Sequence, residues 1–236
     1  MNVNPEIEMD VVILCGGKGT RLKSVVSDRP KPMAALNDKP FLQLLMEYAA
    51  GFGFKRFILA AGYMADVIEK HFSGAAAGFD VAVSRETEPL DTAGAVRNAS
   101  ALIRTPQFLV MNGDSICRID LRAFVEFHFS RGGRASVAVA KVADAGSFGS
   151  ITKDADGRLL SFREKAAAGA GYVNAGIYIL DKTVLEAVPP GTRYSMERDL
   201  LPALISGRDV YGYETESRLF DIGTPEGYRE AGEKLK

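Results

Sequence analysis

Cysteine, histidine and net charge are all scarce in this sequence, and each scarcity excludes a class of protein. The chain of 236 residues contains two cysteines, two histidines and no tryptophan. Cys15 and Cys117 lie in or just beyond apolar runs, so we expect buried free thiols instead of a disulfide framework or a metal cluster. A net charge of −1 argues against a general basic surface that would bind nucleic acid.

Long apolar runs are also missing. No stretch reaches the length of a membrane helix, and residues 1–10 are polar and carry no apolar signal core. We therefore expect no membrane partner, no nucleic-acid partner and a cytoplasmic location. A hydrophobic content of 47% over this length is enough for one large domain with a sizeable core. The oligomeric state stays open, a homo-oligomer included.

Strands and helices alternate through the first half of the chain. Apolar runs predict strands at 11–14, 57–61, 79–84 and 108–111. Helices are predicted between them at 41–52, 65–72 and 92–103, the last with Thr92 as a possible N-cap. Strands that are separated by helices favour an α/β fold with a parallel sheet and helices on both faces.

The second half has a more mixed pattern. Strands are predicted at 135–142 and 172–180, and a hairpin is predicted from 149–152 and 159–162 around the turn at 154–157. Further helices are expected at 182–187, 195–205 and 225–236. Residues 166–171 are small and predict a mobile loop. The two histidines, His71 and His128, lie in helical stretches beside aromatic residues, where packing or surface roles are expected. The phenylalanines at 124, 127 and 129 are predicted to belong to the core.

A glycine-rich loop follows the first strand. Gly16, Gly17 and Gly19 leave the backbone free to turn its N–H groups inward, which forms an anion-binding concavity. Four cations lie within the fourteen residues 18–31, and they favour a polyphosphate ligand: Lys18, Arg21, Arg29 and Lys31. An ordinary basic surface loop is the alternative. The position at the C-terminal end of a strand, where α/β folds bind ligands, favours a site.

The loop matches neither of two familiar phosphate motifs. It lacks the Gly-Lys-Ser/Thr ending of a Walker A loop, and it lacks the third glycine of a dinucleotide fingerprint. Pro30 and Pro32 follow instead and are expected to hold the next segment extended. A dinucleotide-dependent oxidoreductase is therefore disfavoured.

The run Gly16-Gly17-Lys18-Gly19-Thr20-Arg21-Leu22, followed by Pro-Lys-Pro-Met at 30–33, is similar to the signature of the sugar-1-phosphate nucleotidylyltransferases. The similarity covers nearly the whole chain. It implies a Rossmann-like (GT-A-like) α/β fold with a mixed, mostly parallel sheet flanked by helices. A nucleotide-binding half, about 1–115, would be followed by a smaller mixed α+β half, about 116–236, that binds the sugar phosphate.

The resemblance also implies roles for individual residues. Catalytic roles fall to Arg21, Lys31 and Lys165. Nucleotide contacts fall to Leu14, Gly16, Gly17, Gly19, Thr20, Arg21, Lys31, Glu88 and Gly94. Sugar contacts fall to Asn112, Glu164, Lys165 and Asn174. Alanine at 166 replaces a proline that is common in relatives, and Asp91 replaces a glycine that approaches the nucleotide, which could alter the choice of base or sugar.

Two carboxylates are the predicted metal ligands. Asp114 closes a strand and Asp221 ends an apolar stretch, and on the residues alone each could equally be a turn residue. The family pattern assigns both to one Mg²⁺, the implied cofactor. Asn174 lies within an apolar strand and needs partners, of which a sugar hydroxyl could be one. Glu88 could accept hydrogen bonds from guanine.

The implied reaction is attack of a sugar 1-phosphate oxygen on the α-phosphorus of a nucleoside triphosphate, so these two molecules are the expected partners. Segments 20–34, 37–42 and 148–151 are most similar to guanylyltransferases that act on D-glycero-α-D-manno-heptose 1-phosphate, enzymes that supply surface polysaccharide synthesis. Lys23 and Ser24 stand where thymidylyl members typically have proline. A single activity is expected, because little chain follows Asp221. Mannose 1-phosphate guanylyltransferase, a uridylyltransferase acting on N-acetylmuramate or glucose 1-phosphate, and a catalytically inactive sugar-nucleotide-binding regulator remain alternatives.

Overall fold

The structure is a computed structural model that describes residues 5–22, 25–26, 28–72, 78–143, 150–163 and 169–235. Its strands are β1 Asp10–Leu14, β2 Ala35–Leu36, β3 Lys39–Pro40, β4 Arg56–Ala61, β5 Asp80–Arg85, β6 Gln107–Asn112, β7 Ser115–Cys117, β8 Ala135–Val142, β9 Ser150–Lys153, β10 Leu159–Arg163, β11 Gly171–Asp181, β12 Val210–Thr215 and β13 Leu219–Asp221. Its α-helices are α1 Phe41–Ala50, α2 Ala65–Phe72, α3 Asp91–Asn98, α4 Leu121–Arg131, α5 Leu201–Ser206 and α6 Pro225–Lys234. None of the described helices is long and apolar enough to span a membrane.

Nine of the strands form one sheet. Strands β5, β4, β1 and β6 lie side by side and are parallel, as the alternation of strands and helices predicted. Strand β11 continues the sheet antiparallel to β6, and it pairs in turn with β8 and with the β9–β10 hairpin. Strand β12 adds a parallel pair with β8. The predicted fold class, a mixed sheet flanked by helices, is therefore confirmed.

The order of the parallel strands indicates which edge of the sheet binds ligands. The chain runs from β1 outward to β4 and β5, and then returns to place β6 on the other side of β1. The loops that leave the carboxyl ends of β1 and β6 therefore diverge, and this switch point is where open α/β sheets hold their ligands. The glycine loop follows β1, and the Asn112-Gly113-Asp114 turn follows β6.

The two faces of the sheet carry separate apolar cores. Alternating residues of β1 show the division, since Val11 and Ile13 pack on one face with α1, α2 and α4 while Val12 packs on the other with α3 and α5. All three side chains are fully buried. Both cores draw residues from the two halves of the chain, so burial of apolar surface joins the halves into one unit.

Local chemistry explains several helix ends. The Asp120 carboxylate caps α4 by accepting hydrogen bonds from the backbone N–H groups of Arg122 and Ala123, at 2.9 and 3.0 Å. Gly132 ends that helix in the left-handed region, at φ 65°. Thr224 caps α6 through the N–H of Gly227, and proline occupies the first helical position.

Some sequence predictions were wrong in detail. Thr92 does not cap α3, which begins one residue earlier, because its hydroxyl instead accepts from the Met196 N–H. Lys31–Met33 form a 3₁₀ turn instead of an extended segment, since Pro32 fits the first turn of a helix. Phe129 is 58% exposed and does not join Phe124 in the core.

Other differences concern elements that lack a clear period. The predicted helix at 182–187 is a 3₁₀ helix, and that at 195–205 is a π turn followed by α5. Helix α4 contains the stretch around His128 that was interpreted as helical, whereas strands β2, β3, β7, β12 and β13 were not predicted. Strands of three residues, such as β7 and β13, are too short to show any alternation. Residue 149 and the first part of the predicted mobile loop, 166–168, lie outside the described residues.

Candidate functional site

Two adjoining cavities open at the switch point of the sheet. The larger has a volume of about 710 Å³ and is lined by Leu14, Gly16, Gly17, Lys18, Gly62, Tyr63, Glu86, Thr87, Glu88, Pro89, Asp91, Thr92, Ala95, Asn112, Gly113, Asp114 and Arg193. The smaller, of about 190 Å³, is lined by Leu14, Cys15, Gly17, Gly19, Arg21, Lys31, Pro32, Asp114 and Gly223. The larger has the size of a small-molecule site, and the smaller has a lining rich in cations and glycines.

The glycine loop forms the wall between the two cavities. Gly17 lines both, and a Cβ at Gly17 would meet nothing within 4 Å. Gly16 lies against the Glu86 carboxylate, which a Cβ would strike, and Gly19 adopts φ 57° with its Cβ position 2.9 Å from that of Lys31. The loop therefore needs glycine where the chain turns and where a neighbouring side chain passes closely.

Most of the predicted nucleotide residues line one of the two cavities. Leu14, Gly16, Gly17 and Glu88 line the larger cavity. Gly19, Arg21 and Lys31 line the smaller one. The side chain of Thr20 lies outside the described part of the chain. Cys15 is buried beneath the loop, and burial raises the pKa of its thiol far above its ordinary value, so it stays protonated. Both cysteines are buried and free, as the sequence predicted.

The two predicted metal ligands lie on either side of one lysine. The Lys31 ammonium is 2.7 Å from Asp114 Oδ2 and 3.7 Å from Asp221 Oδ1. Short strand pairing brings the two carboxylates together, because β13 pairs with β7 in the register Asp221 with Ser115, and the Ile222 N–H donates to the Asp114 carbonyl at 3.0 Å. Sequence patterns did not predict this pairing.

The donor set at this point is compatible with a divalent cation. The described residues hold no cluster of three or more histidine, cysteine or acid side chains, so protein ligands would number two. Mg²⁺ in nucleotide sites is typically bound through one or two protein carboxylates, with water and substrate phosphates as its other ligands. Two carboxylates are therefore enough for such a site. Asp114 and Asp221 therefore fit the predicted cofactor, which remains a prediction.

Two acidic residues that follow β5 also line the larger cavity. Glu88 is exposed and lines it, whereas Glu86 is half-buried and its Oε2 accepts a hydrogen bond from the Leu90 N–H at 3.1 Å. Burial raises the pKa of the Glu86 carboxyl above its ordinary range. Sequence reasoning missed Glu86, Tyr63 and Arg193. Glu86 directly follows β5, so the rule that ligands gather at the carboxyl ends of parallel strands could have located it.

Asp91 takes a conformation that favours glycine. Its φ is 63°, in the left-handed region, and aspartate is one of the few residues that tolerate it. Its Oδ1 accepts from the Thr92 N–H, and its Oδ2 pairs with the Arg198 guanidinium at 2.5 Å. The departure from the family glycine thus links the cavity rim to the π turn at Met196–Leu200.

Gly94 faces protein instead of the cavity. A Cβ there would lie 2.6 Å from the Thr192 carbonyl oxygen, and the Gly94 N–H donates to the Tyr194 carbonyl at 2.9 Å. Close packing of α3 on the 192–194 segment is therefore reason enough for this glycine. Its predicted nucleotide contact stays a prediction, and it is not among the residues that line the cavity.

The two asparagines predicted to bind sugar differ. Asn112 lines the larger cavity, and its Oδ1 is buried with no hydrogen-bond partner among the described residues. Asn174 is already engaged, since its Nδ2 donates to Tyr178 Oη at 2.6 Å and its Oδ1 accepts from the Gly176 N–H at 3.0 Å. Asn112 is thus open to a ligand, while Asn174 retains one amide hydrogen and one lone pair.

A hydrogen-bond network continues from Asn174 to the half-buried carboxylate of Glu197. The Tyr178 hydroxyl donates to Glu197 Oε1 at 2.9 Å, and Glu197 Oε2 accepts from Thr92 and Ser195, each at 3.0 Å. Thr92 lines the larger cavity, so this network connects the cavity wall with Asn174. Glu164 and Lys165 follow β10 and lie outside the described residues, so their predicted sugar and catalytic roles stay predictions.

Comparisons with known proteins agree with this geometry. A curated relative, the D-glycero-alpha-D-manno-heptose 1-phosphate guanylyltransferase of Aneurinibacillus thermoaerophilus, is 34% identical over 97% of this chain and 99% of its own length. The mannose-1-phosphate guanylyltransferase of Mycobacterium tuberculosis is also 34% identical, but the chain spans 63% of its length.

A solved structure of HddC from Yersinia pseudotuberculosis, complexed with GMP-PN, is 39% identical and aligns with a TM-score of 0.83 over 97% of this chain and 100% of that one. A family model described as Nucleotidyl transferase matches residues 10–236. Because that match covers nearly the whole chain, and because a relative of the same length is 34% identical, the chain belongs to the nucleotidyl transferase family.

Proposed function

We propose that this protein transfers GMP from GTP to D-glycero-α-D-manno-heptose 1-phosphate and releases pyrophosphate. The observation that carries the proposal is the joined pair of cavities. A larger one suited to a nucleoside meets, at Asp114 and Gly17, a smaller one that holds Arg21 and Lys31. The names of the full-length relatives support the choice of guanine and heptose. The cytoplasm, which supplies nucleoside triphosphates, is the proposed location.

The reaction needs charge neutralisation more than proton transfer. The sugar phosphate oxygen is already anionic at neutral pH, so its attack on the α-phosphorus needs no general base. Bringing two polyanions together is the barrier, and positioning with fixed cations lowers it. Exposed Arg21 and buried Lys31 both face the smaller cavity and supply those cations.

Each charged group has one task in this proposal. Arg21 stabilises the triphosphate and the developing pyrophosphate, and Lys31 contacts the phosphates. Lys165 holds the sugar phosphate. Asp114 and Asp221 would hold Mg²⁺, which when bound supplies Lewis-acid stabilisation of charge at the α-phosphate.

Recognition of base and sugar falls to the walls of the larger cavity. Glu88 has an exposed carboxylate there and can accept two hydrogen bonds from the N1–H and amino group of guanine. Asn112 Oδ1, which has no hydrogen-bond partner among the described residues, can accept from a sugar hydroxyl, and this would satisfy a buried acceptor. Asn174 and Glu164 complete the proposed sugar site.

Pyrophosphate release tests the proposal. The protein is incubated with Mg²⁺, each of the four common nucleoside triphosphates, and the 1-phosphates of heptose, mannose, glucose and N-acetylglucosamine. We expect the highest kcat/KM with GTP and the heptose 1-phosphate. Preference for mannose 1-phosphate would transfer the assignment to the second candidate, which the mycobacterial relative favours. Release with UTP or dTTP alone defeats the guanylyl assignment, and no release with any pair defeats the enzyme function.

A further inference from the structure

The Lys31 ammonium lies between the two carboxylates that are the predicted metal ligands. It lies 2.7 Å from Asp114 Oδ2 and 3.7 Å from Asp221 Oδ1. The lysine side chain is only 7% exposed, whereas the two aspartates are 44% and 32% exposed. A buried ammonium loses its hydration and must be paired, so the carboxylates hold Lys31 in place as much as it holds them together.

The surroundings leave a slot for this side chain. Gly19, at φ 57°, passes beside the lysine stem, and a Cβ there would lie 2.9 Å from Lys31 Cβ. At the other end, a Cβ on Gly223 would lie 2.5 Å from the ammonium nitrogen. Any larger residue at either glycine would displace the stem or the ammonium. The placement of Lys31 between the carboxylates is therefore set from both ends.

One position cannot hold two cations. The ammonium contacts Asp114 Oδ2 at 2.7 Å and lies 3.7 Å from Asp221 Oδ1. A divalent cation held by these two aspartates would use the same carboxylate oxygens as ligands. Two positive charges that share these oxygens repel strongly in a partly buried site. Lys31 and a divalent ion are thus alternatives at these oxygens.

We propose that Lys31 occupies the metal site of the free enzyme and leaves it when nucleotide arrives. Lys31 also lines the smaller cavity, so a triphosphate bound there offers the ammonium new anionic partners. When the ammonium turns toward the phosphates, Asp114 and Asp221 are freed for the divalent ion. Metal therefore binds with the nucleotide and only weakly without it. This inference rests on the proposed function, because it takes a triphosphate as the ligand of the smaller cavity.

Metal binding to the nucleotide-free protein tests the exchange. Mn²⁺ serves as the probe, with its dissociation constant measured by electron paramagnetic resonance for the wild type and for Lys31→Met. Methionine keeps an unbranched stem and removes the charge. We expect Lys31→Met to bind Mn²⁺ about tenfold or more tightly than the wild type, the range of a typical coupling between two ligands. Lys39→Met is the matched control, because Lys39 is exposed and pairs with Glu47 on α1, so its removal should leave Mn²⁺ affinity unchanged.

Thermal denaturation gives a second readout that does not depend on activity. Without Lys31 the two carboxylates repel each other, so Lys31→Met should melt below the wild type, and Mn²⁺ should raise its midpoint more than it raises that of the wild type. If Lys31→Met does not fold without metal, Lys31→Gln, which can still donate hydrogen bonds, takes its place. The gain in Mn²⁺ affinity should disappear when Asp114→Asn is added.

The outcomes separate this inference from the proposed function. Equal Mn²⁺ affinities of the wild type and Lys31→Met, together with normal pyrophosphate release by the wild type, overturn the exchange and leave the function intact. Absence of pyrophosphate release with every substrate pair defeats the function, and a tenfold gain in Mn²⁺ affinity would then still support Lys31 as the competing cation. A gain equally large in Lys39→Met would overturn the exchange by showing a general charge effect.

Discussion

At the scale of single residues, the cations of the glycine loop differ in their surroundings. Arg21 faces the smaller cavity beside Lys31. Arg29, eight positions later, lies on the surface and is already paired with Asp28 at 2.7 Å. From the sequence, both arginines were predicted to favour a polyphosphate ligand. The structure separates them, because Arg21 is among the residues that line the smaller cavity and Arg29 lines neither of the two cavities described.

Replacement of Arg21 by alanine should lower turnover without loss of the fold. The side chain is exposed, so its removal leaves no buried group unpaired. In the proposed reaction, the loss of one cation from the smaller cavity should reduce kcat by about 10²–10³-fold. Pyrophosphate release measures the rate, and circular dichroism checks the fold. Arg29→Ala is the control and should keep kcat within about twofold; near-normal turnover of a folded Arg21→Ala protein would exclude the role assigned to Arg21.

At the scale of elements, the predictability of the site follows from the length of each pattern. The loop after β1 was predicted because a run of buried β-branched residues ends in three glycines. The meeting of Asp114 with Asp221 depends on the pairing of β7 with β13, each of three residues. Neither strand has a period long enough to read, so only the family resemblance joined the two aspartates. Glu86 directly follows β5 and could have been located by its strand end, whereas Arg193 reaches the cavity from a segment between β11 and α5 that carries no such signal.

A hydrogen-bond network joins α3, β11 and the π turn at Met196–Leu200. Tyr178 is fully buried, and its hydroxyl connects Asn174 with Glu197. Strand β11 has a register shift between Asn174 and Tyr178, and the two side chains lie within hydrogen-bond distance of each other. Burial and the Glu197 carboxylate together raise the pKa of the Tyr178 hydroxyl well above its ordinary value, so it remains a donor at all physiological pH values.

Tyr178→Phe should impair the sugar site more than the nucleotide site. Without the hydroxyl, the Asn174 amide loses the acceptor that orients it, and Glu197 loses one donor. We expect the KM for the sugar 1-phosphate to rise about five- to tenfold with the KM for GTP nearly unchanged, and stability to fall by about 1–2 kcal/mol. Steady-state kinetics with each substrate varied will decide. Tyr172→Phe on the same strand is the control, because its exposed hydroxyl binds only Glu214 among the described residues. Equal changes in both KM values would rule out a positioning role.

Helix α4 is tied to β8 by a buried histidine. His128 is 3% exposed, and its Nδ1 lies 2.9 Å from the Ser136 hydroxyl, which is itself buried. Burial lowers the pKa of His128 below its ordinary value of 6.5, and the charge of Asp181 offsets only part of this. The folded protein therefore keeps His128 neutral at pH values where the unfolded chain would bind a proton.

The sign of the resulting pH dependence follows directly. The stability contributed by neutral His128 is complete above pH about 6.5 and is lost as the pH falls below that value, since only the unfolded state then gains the proton. His128→Asn, which can still bond Ser136, should lower stability at pH 8 by about 1–2 kcal/mol but flatten its decline between pH 7.5 and 5.5. Urea unfolding at each pH measures this. His71→Asn, on the exposed face of α2, should retain the wild-type slope; an unchanged slope in His128→Asn would refute the assignment.

At the scale of the whole molecule, the predicted nucleotide half and sugar half do not correspond to separate units of the fold. Strand β6 of the first half pairs with β1 on one side and with β11 of the second half on the other. The core that covers one face contains Leu109 and Met111 together with Ile177, Ile179 and Ile222. Cutting the chain after β7 would expose the β6 edge and remove part of each core, and unpaired strand edges aggregate.

The protein should therefore unfold in one cooperative step. The absence of tryptophan allows one reporter per variant, Phe79→Trp beside β5 or Phe127→Trp on α4, both at partly buried positions. Fluorescence of each variant during urea unfolding should give a midpoint that coincides with its far-ultraviolet circular dichroism, because both cores span the sheet. A fragment of residues 1–118 should show no cooperative transition. Midpoints that differ between fluorescence and circular dichroism in either variant would instead mean that the halves fold as separate units, and the nucleotide cavity would then be able to form without the strand that carries Asp221.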